Sequence, residues 1–245
     1  MPQPELVPEL LPFPDPGALS RAAAELVAEV ATAAVAARGR FAMALSGGRT
    51  PEMLYELLAG EYRSQMPWDA THLYFGDERC VPPTDPDSNY RMADRALLSR
   101  VPGLERRTHR IEGELGAAEA AVRYDALLRA AFVDGATTFD LVLLGMGPDG
   151  HTASLFPGSP ALEERQRWAV PTEAPPTMKT RQRVTLTYPV LDAGRIVLFL
   201  AAGADKRERL AAVLADTGRL DAPYPASRVT ARERLVWLVD EAAMP

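Results

Sequence analysis

Short apolar runs alternate along the chain with stretches patterned for amphipathic helices. A helix is predicted over residues 18–37, ended by Gly39, and the run Phe41-Ala42-Met43-Ala44-Leu45 follows as a buried strand. Ser46-Gly47-Gly48-Arg49-Thr50-Pro51 then predicts a glycine turn into a new helix. In that helix Thr50 is the N-cap, Pro51 the first helical residue, Leu54, Leu57 and Leu58 one face, and Gly60 the stop. The pattern returns as a strand over residues 73–76, a polar loop from Asp77 to Asn89, and a helix through Met92, Ala96 and Leu97. A helix over residues 117–131 precedes the clearest buried strand, 139–144, which runs into the loop from Gly145 to Ser154. Further strands are predicted at 184–187, 196–201 and 235–239, with a helix over 205–214, and the proline-rich stretch 171–176 reads as a loop over the sheet edge or the site.

This βα alternation predicts an α/β fold: a Rossmann-like, open, mostly parallel sheet with helices on both faces, in a single domain spanning residues 1–245. Ligands of such sheets sit beyond the carboxyl ends of the strands. The loops beginning at Ser46, Asp77 and Gly145 all emerge there, and their convergence is the central structural expectation.

Composition narrows the partners. Of 245 residues, 47% are hydrophobic and 24% charged, which is ordinary for a globular chain able to bury a sizeable core. The net charge of -6 and the absence of any basic block argue against nucleic acid and anionic membranes, while a small anionic ligand, which feels local arginines and backbone amides, stays open. Cys80 is the only cysteine, so no internal disulfide forms, and three scattered histidines supply no metal-ligand spacing. The first 16 residues hold three acids and no base, unlike a signal peptide, and no apolar run approaches the roughly 20 residues of a membrane span. The chain is therefore expected in the cytoplasm. Its oligomeric state is not encoded in any pattern of this kind, and a monomer is compatible with it.

Candidate chemistry gathers in the predicted loops. The Ser46-Gly47-Gly48 turn lets backbone amides and a helix N-terminus face one anion; the alternative is a tight turn and nothing more. It matches neither GxGxxG nor a P-loop, since no lysine follows. His151, in a glycine-rich loop after the best strand, has the chemistry of a general base, with Asp149 placed to orient it. His72 and His109 lack such loop context and read as structural. Asp77 and Arg79 share one side of an extended segment while Glu78 faces the other; Arg79 suits a phosphate or an oxyanion, with a surface ion pair as the alternative. Cys80 reads as a small buried residue. Arg183 and Lys206 are further cations near strand ends that only the tertiary fold can bring together.

Four blocks, Ser46-Gly47-Gly48-Arg49-Thr50-Pro51, Phe75-Gly76-Asp77-Glu78-Arg79, Asp87-Ser88-Asn89-Tyr90 and the segment from Leu144 to Pro157 that contains Asp149-Gly150-His151, resemble in order and spacing the 6-phosphogluconolactonase family. The resemblance continues through Arg183-Val184-Thr185-Leu186-Thr187, Gly203 to Lys206 and Pro225-Ala226-Ser227. It implies a glucosamine-6-phosphate-isomerase-like fold that acts on 6-phospho-D-glucono-1,5-lactone with water, in the pentose phosphate route, without cofactor or metal. By motif position His151 activates the water, Asp149 supports it and Arg79 steadies developing charge. Ser46, Gly47, Gly48, Arg49, Thr50, Asp77, Asn89, Arg183 and Lys206 form the substrate- and phosphate-binding set. Two positions depart from the family: Glu173-Ala174, where a lysine is usual, precede Pro175-Pro176 with Lys179 after them, and Tyr188 stands where an aliphatic residue is common. The related amino-sugar phosphate isomerase-deaminases share the Asp-Gly-His block but carry a tyrosine where Arg79 stands here. A sugar-phosphate-sensing regulator of similar fold needs an N-terminal DNA-binding module, for which the short lead leaves no room.

Overall fold

A computed structural model describes residues 7–133 and 139–245; the first six residues of the lead lie outside them. The lead holds a strand, β1 (Glu9–Phe13), that its prolines conceal. Asp15 caps the next element, α1 (Pro16–Arg38), by accepting the Ala18 amide at 2.8 Å, and Gly39 ends it in the left-handed region at φ 74°. There follow β2 (Phe41–Leu45), α2 (Arg49–Ala59), β3 (Thr71–Phe75), β4 (Asp77–Arg79), α3 (Asn89–Ala96), β5 (Thr108–His109) and α4 (Ala117–Ala131). The second half comprises β6 (Leu141–Gly145), β7 (Ala169–Glu173), β8 (Gln182–Leu186), α5 (Tyr188–Leu191), β9 (Ile196–Ala201), α6 (Arg207–Ala215) and β10 (Arg234–Asp240).

Seven strands pair parallel in the order β1-β10-β9-β6-β2-β3-β5, and β4-β8-β7 form a separate antiparallel sheet. Every residue of β2 and β9 is buried; since successive side chains point to opposite faces, both faces of the large sheet are covered. The fold is thus the expected α/β class. From β2 the chain moves outward to β3 and β5, then returns to the other side of β2 for β6, β9 and β10. The direction of winding reverses between β2 and β6, which is where a doubly wound sheet opens a crevice at its carboxyl end. Ser46 follows β2 and Gly145 ends β6 there, so close that a Cβ built on Gly145 lies 3.9 Å from Ser46 Oγ.

Several sequence expectations shift. Thr50 is not the N-cap of α2: the cap is Gly48, whose φ of 109° only glycine adopts comfortably, and Arg49 is already helical. The strand expected at 139–144 starts at Leu141; just before it the Asp140 carboxylate accepts the Ala42 amide at 2.8 Å and pairs with Arg38 at 2.7 Å. The loop from Asp77 begins as strand β4, and the strand expected at 184–187 lies in the small antiparallel sheet. The stretch 171–176 starts within β7, an edge strand, the position where a sheet tolerates Pro171. Among the described residues no helix is long and apolar enough to cross a membrane.

Candidate active site

Three loops meet at the crevice. In the first, α2 reaches back to hold its own turn: Tyr55 Oη donates to the Ser46 carbonyl at 2.8 Å and accepts the Ser46 amide at 2.9 Å. That bond occupies the Ser46 N–H, which leaves the Gly47 and Gly48 amides for the predicted anion cradle. Gly47 is fixed by a close approach, since a Cβ there would lie 2.1 Å from Asn89 Oδ1. Asn89, the first residue of α3, donates through Nδ2 to the Asp77 carbonyl at 3.0 Å and to Asp77 Oδ1 at 3.1 Å. Ser154, from the loop after β6, donates its hydroxyl to Asp77 Oδ2 at 2.6 Å. Asp77, 7% exposed, therefore ties the Asn89 side and the His151 loop together.

The small sheet brings two guanidiniums side by side. Across β4 and β8, Arg79 pairs in register with Arg183, an arrangement of like charges that costs stability unless an anion answers it. Arg183 is only 7% exposed, not a solvated surface charge. Burial, and then the neighbouring charge of Arg79, depress its pKa, partly offset by Asp77 and Glu78. Arg183 Nε donates to the Thr180 carbonyl at 2.9 Å, and Arg79 donates a guanidinium N–H to the Asp87 carbonyl. Among the described residues Arg79 Nε is buried with no hydrogen-bond partner, so the pair retains capacity for an anion.

His151 closes the third loop. Its Nδ1 lies 2.5 Å from Asp149 Oδ1, the geometry that orients an imidazole with Nε2 directed away from the carboxylate. Burial acts to raise the Asp149 carboxyl, but the hydrogen bond and charge of His151 outweigh it and leave it below the usual range. The ring packs on Phe156, centroids 4.7 Å apart, and a Cβ on Gly147 would fall 2.1 Å from its Cε1, so glycine is required there for the ring to sit where it does. Ala153 in the same loop is strained at φ 48°, the one positive-φ residue other than glycine among the described residues.

The other expected residues stand near the carboxyl end of β9 and at the start of α2. Lys206 stands at the carboxyl end of β9, beside β6, in a short turn before α6, and its ammonium pairs with Asp205 at 3.1 Å. Arg49 is exposed at the start of α2 and Thr50 half-buried. Lys179 holds Asp87 at 2.9 Å, joined there by Thr180 at 2.8 Å, which fastens the β7–β8 hairpin to the loop before α3. Phe156, Ser159, Thr172, Glu173, Pro175 and Arg181 help line a cleft of about 810 Å³ beside that hairpin. Burial, reinforced by Glu78, pushes the half-buried Cys80 thiol up to about 11, which disfavours the thiolate that a nucleophile needs. His72 and His109 bond each other at 3.2 Å between β3 and β5, apart from these loops, as their structural reading expects. No group of three or more metal-ligating side chains occurs among the described residues.

Sequence reasoning does not find Tyr55, Asp87, Ser154 or Glu78. Each acts through a partner on another element, and no local pattern marks a tyrosine on a helix face or an acid in a strand as a tether.

The chain is similar to known proteins over nearly its whole length. The family model described as glucosamine-6-phosphate isomerases/6-phosphogluconolactonase matches residues 14–237. A 6-phosphogluconolactonase from Homo sapiens is 43% identical over 230 residues, covering 92% of this chain and 88% of that protein. One from Nostoc sp. is 39% identical over 238 residues, covering 94% and 95%. The structure of a 6-phosphogluconolactonase from Trypanosoma cruzi superposes with a TM-score of 0.81 at 32% identity, covering 96% of this chain and 95% of that one. The chain belongs to the glucosamine-6-phosphate isomerase/6-phosphogluconolactonase family.

Proposed function

We propose that this enzyme hydrolyses 6-phospho-D-glucono-1,5-lactone to 6-phospho-D-gluconate, the lactone-opening step of the pentose phosphate pathway. The observation that carries the residue assignment is the 2.6 Å bond from Ser154 to Asp77, which joins the loop of the His151–Asp149 pair to the strand bearing Arg79. His151 Nε2 takes a proton from water as its oxygen attacks the lactone carbonyl, and Asp149 holds Nδ1–H and steadies the imidazolium. Arg79 faces the negative charge that develops on the carbonyl oxygen. When the tetrahedral intermediate collapses, the bond to the ring oxygen breaks, and that oxygen receives the proton held on Nε2. Gly47, Gly48, Arg183 and Lys206 take the phosphate, whose binding energy fixes the carbonyl against the base.

The direct test is proton release from freshly generated 6-phosphogluconolactone. Enzyme is expected to accelerate it well beyond the spontaneous rate. An unchanged rate together with ammonia release from glucosamine 6-phosphate would reverse the assignment in favour of the isomerase-deaminase branch of the family.

A further inference from the structure

Glu78 lies between Asp77 and Arg79 and is 3% exposed. Four donors converge on its carboxylate: Oε1 accepts the amides of Arg79 at 2.7 Å and Asn89 at 2.8 Å, and Oε2 accepts the amide of Tyr90 at 2.8 Å and the hydroxyl of Ser88 at 3.0 Å. Three of these belong to Ser88 and the first turn of α3, whose leading amides have no partner within the helix, and an acidic group is favoured there. The burial of a carboxylate is expensive, and an apolar side chain of the same size would leave three amides unsatisfied.

The position of this anchor matters more than its strength. It fixes where α3 begins, and so fixes Asn89, whose side chain bridges to Asp77 and fills the space beside Gly47. It also holds the backbone of Arg79, and the residue just ahead of Ser88, Asp87, supplies the carbonyl that receives the Arg79 guanidinium. One carboxylate thus sets the separation between the guanidinium pair and the glycine turn.

We infer that Glu78 is a positioning residue of the lactone-hydrolysing site: it touches no substrate and acts by setting the places of Arg79 and Asn89. This rests on the lactonase reading above. Glu78→Gln keeps the size but offers one oxygen to four donors; the Ser88 hydroxyl can turn to accept, and an amide N–H is left facing the carboxamide NH2. The variant is expected to fold and to lose roughly 100-fold in kcat, the scale of a small misplacement of reacting groups, with a smaller rise in KM as Asn89 shifts against the Gly47 turn. In an Asn89→Ala background the same substitution is expected to cost roughly tenfold or less, because one of the two groups it positions is gone. Equal losses in both backgrounds, or full activity of Glu78→Gln, overturn the inference. Should Glu78→Gln fail to fold, Ser88→Ala removes one donor from the same carboxylate: a loss of kcat that shrinks in the Asn89→Ala background supports the inference, and one that does not shrink overturns it. A wild-type protein that leaves the spontaneous rate of lactone hydrolysis unchanged sinks the lactonase reading and this inference with it, whereas an active wild type with additive variants sinks the inference alone.

Discussion

Replacement of His151 by alanine is expected to lower kcat by roughly 100- to 10,000-fold, the range of a positioned general base, while KM stays within a few-fold of the wild-type value. The split follows from where the residue sits. His151 belongs to the loop after β6 and is oriented by Asp149 at 2.5 Å, whereas the groups assigned to the phosphate come from the Ser46 turn, β8 and the end of β9. Removal of the imidazole therefore takes away the proton acceptor and leaves the anion contacts in place. Asp149→Asn should show a smaller loss of the same kind, because the amide can no longer balance an imidazolium. Steady-state kinetics corrected for spontaneous hydrolysis would measure both. A His151→Ala enzyme with unchanged kcat would remove this residue from the chemistry.

Arg183→Met is expected to act the other way, on binding. A hydrogen bond to a charged group contributes about 1.5–3 kcal/mol, so loss of one guanidinium should raise KM roughly 10- to 100-fold. Thermal stability should be equal or higher, which makes the prediction distinctive. Arg183 is buried, faces Arg79 in register and has its pKa depressed first by burial and then by that neighbour, so the charge works against the folded state. Sites commonly carry such local cost for the sake of function. A variant that melts much earlier and binds as before would assign Arg183 to structure alone.

How far the chain reveals itself depends on the range of the interaction. The helix over 117–131 and the strand over 196–201 are found to the residue, because each carries its own period or its own solid apolar run. The meeting of the Ser46, Asp77 and Gly145 loops was legible too, since strand order in such a sheet leaves the carboxyl ends on one side. What stays hidden is pairing at a distance. The Asp-Glu-Arg of β4 has no strand signature until β8 lies against it, and Pro12, with Pro8 and Pro14 on either side of β1, obscures a strand that only its partner β10 completes. The same holds within the site. The Ser154–Asp77 bond joins residues 77 apart, and the four donors on Glu78 come together only when α3 docks, so the sequence shows only that this acid faces away from Asp77 and Arg79. Arg183 was legible as a cation near a strand end; its burial against Arg79 was not.

In the proposed mechanism one small molecule engages the arginine pair and the histidine together. Side-chain ¹⁵N–¹H spectra of Arg79, Arg183 and His151 recorded while the product, 6-phosphogluconate, is titrated in measure this directly. All three residues are expected to shift along a single binding curve with one dissociation constant. Arginine signals that saturate while His151 stays unmoved would place the histidine outside the sugar-phosphate site and contradict that mechanism.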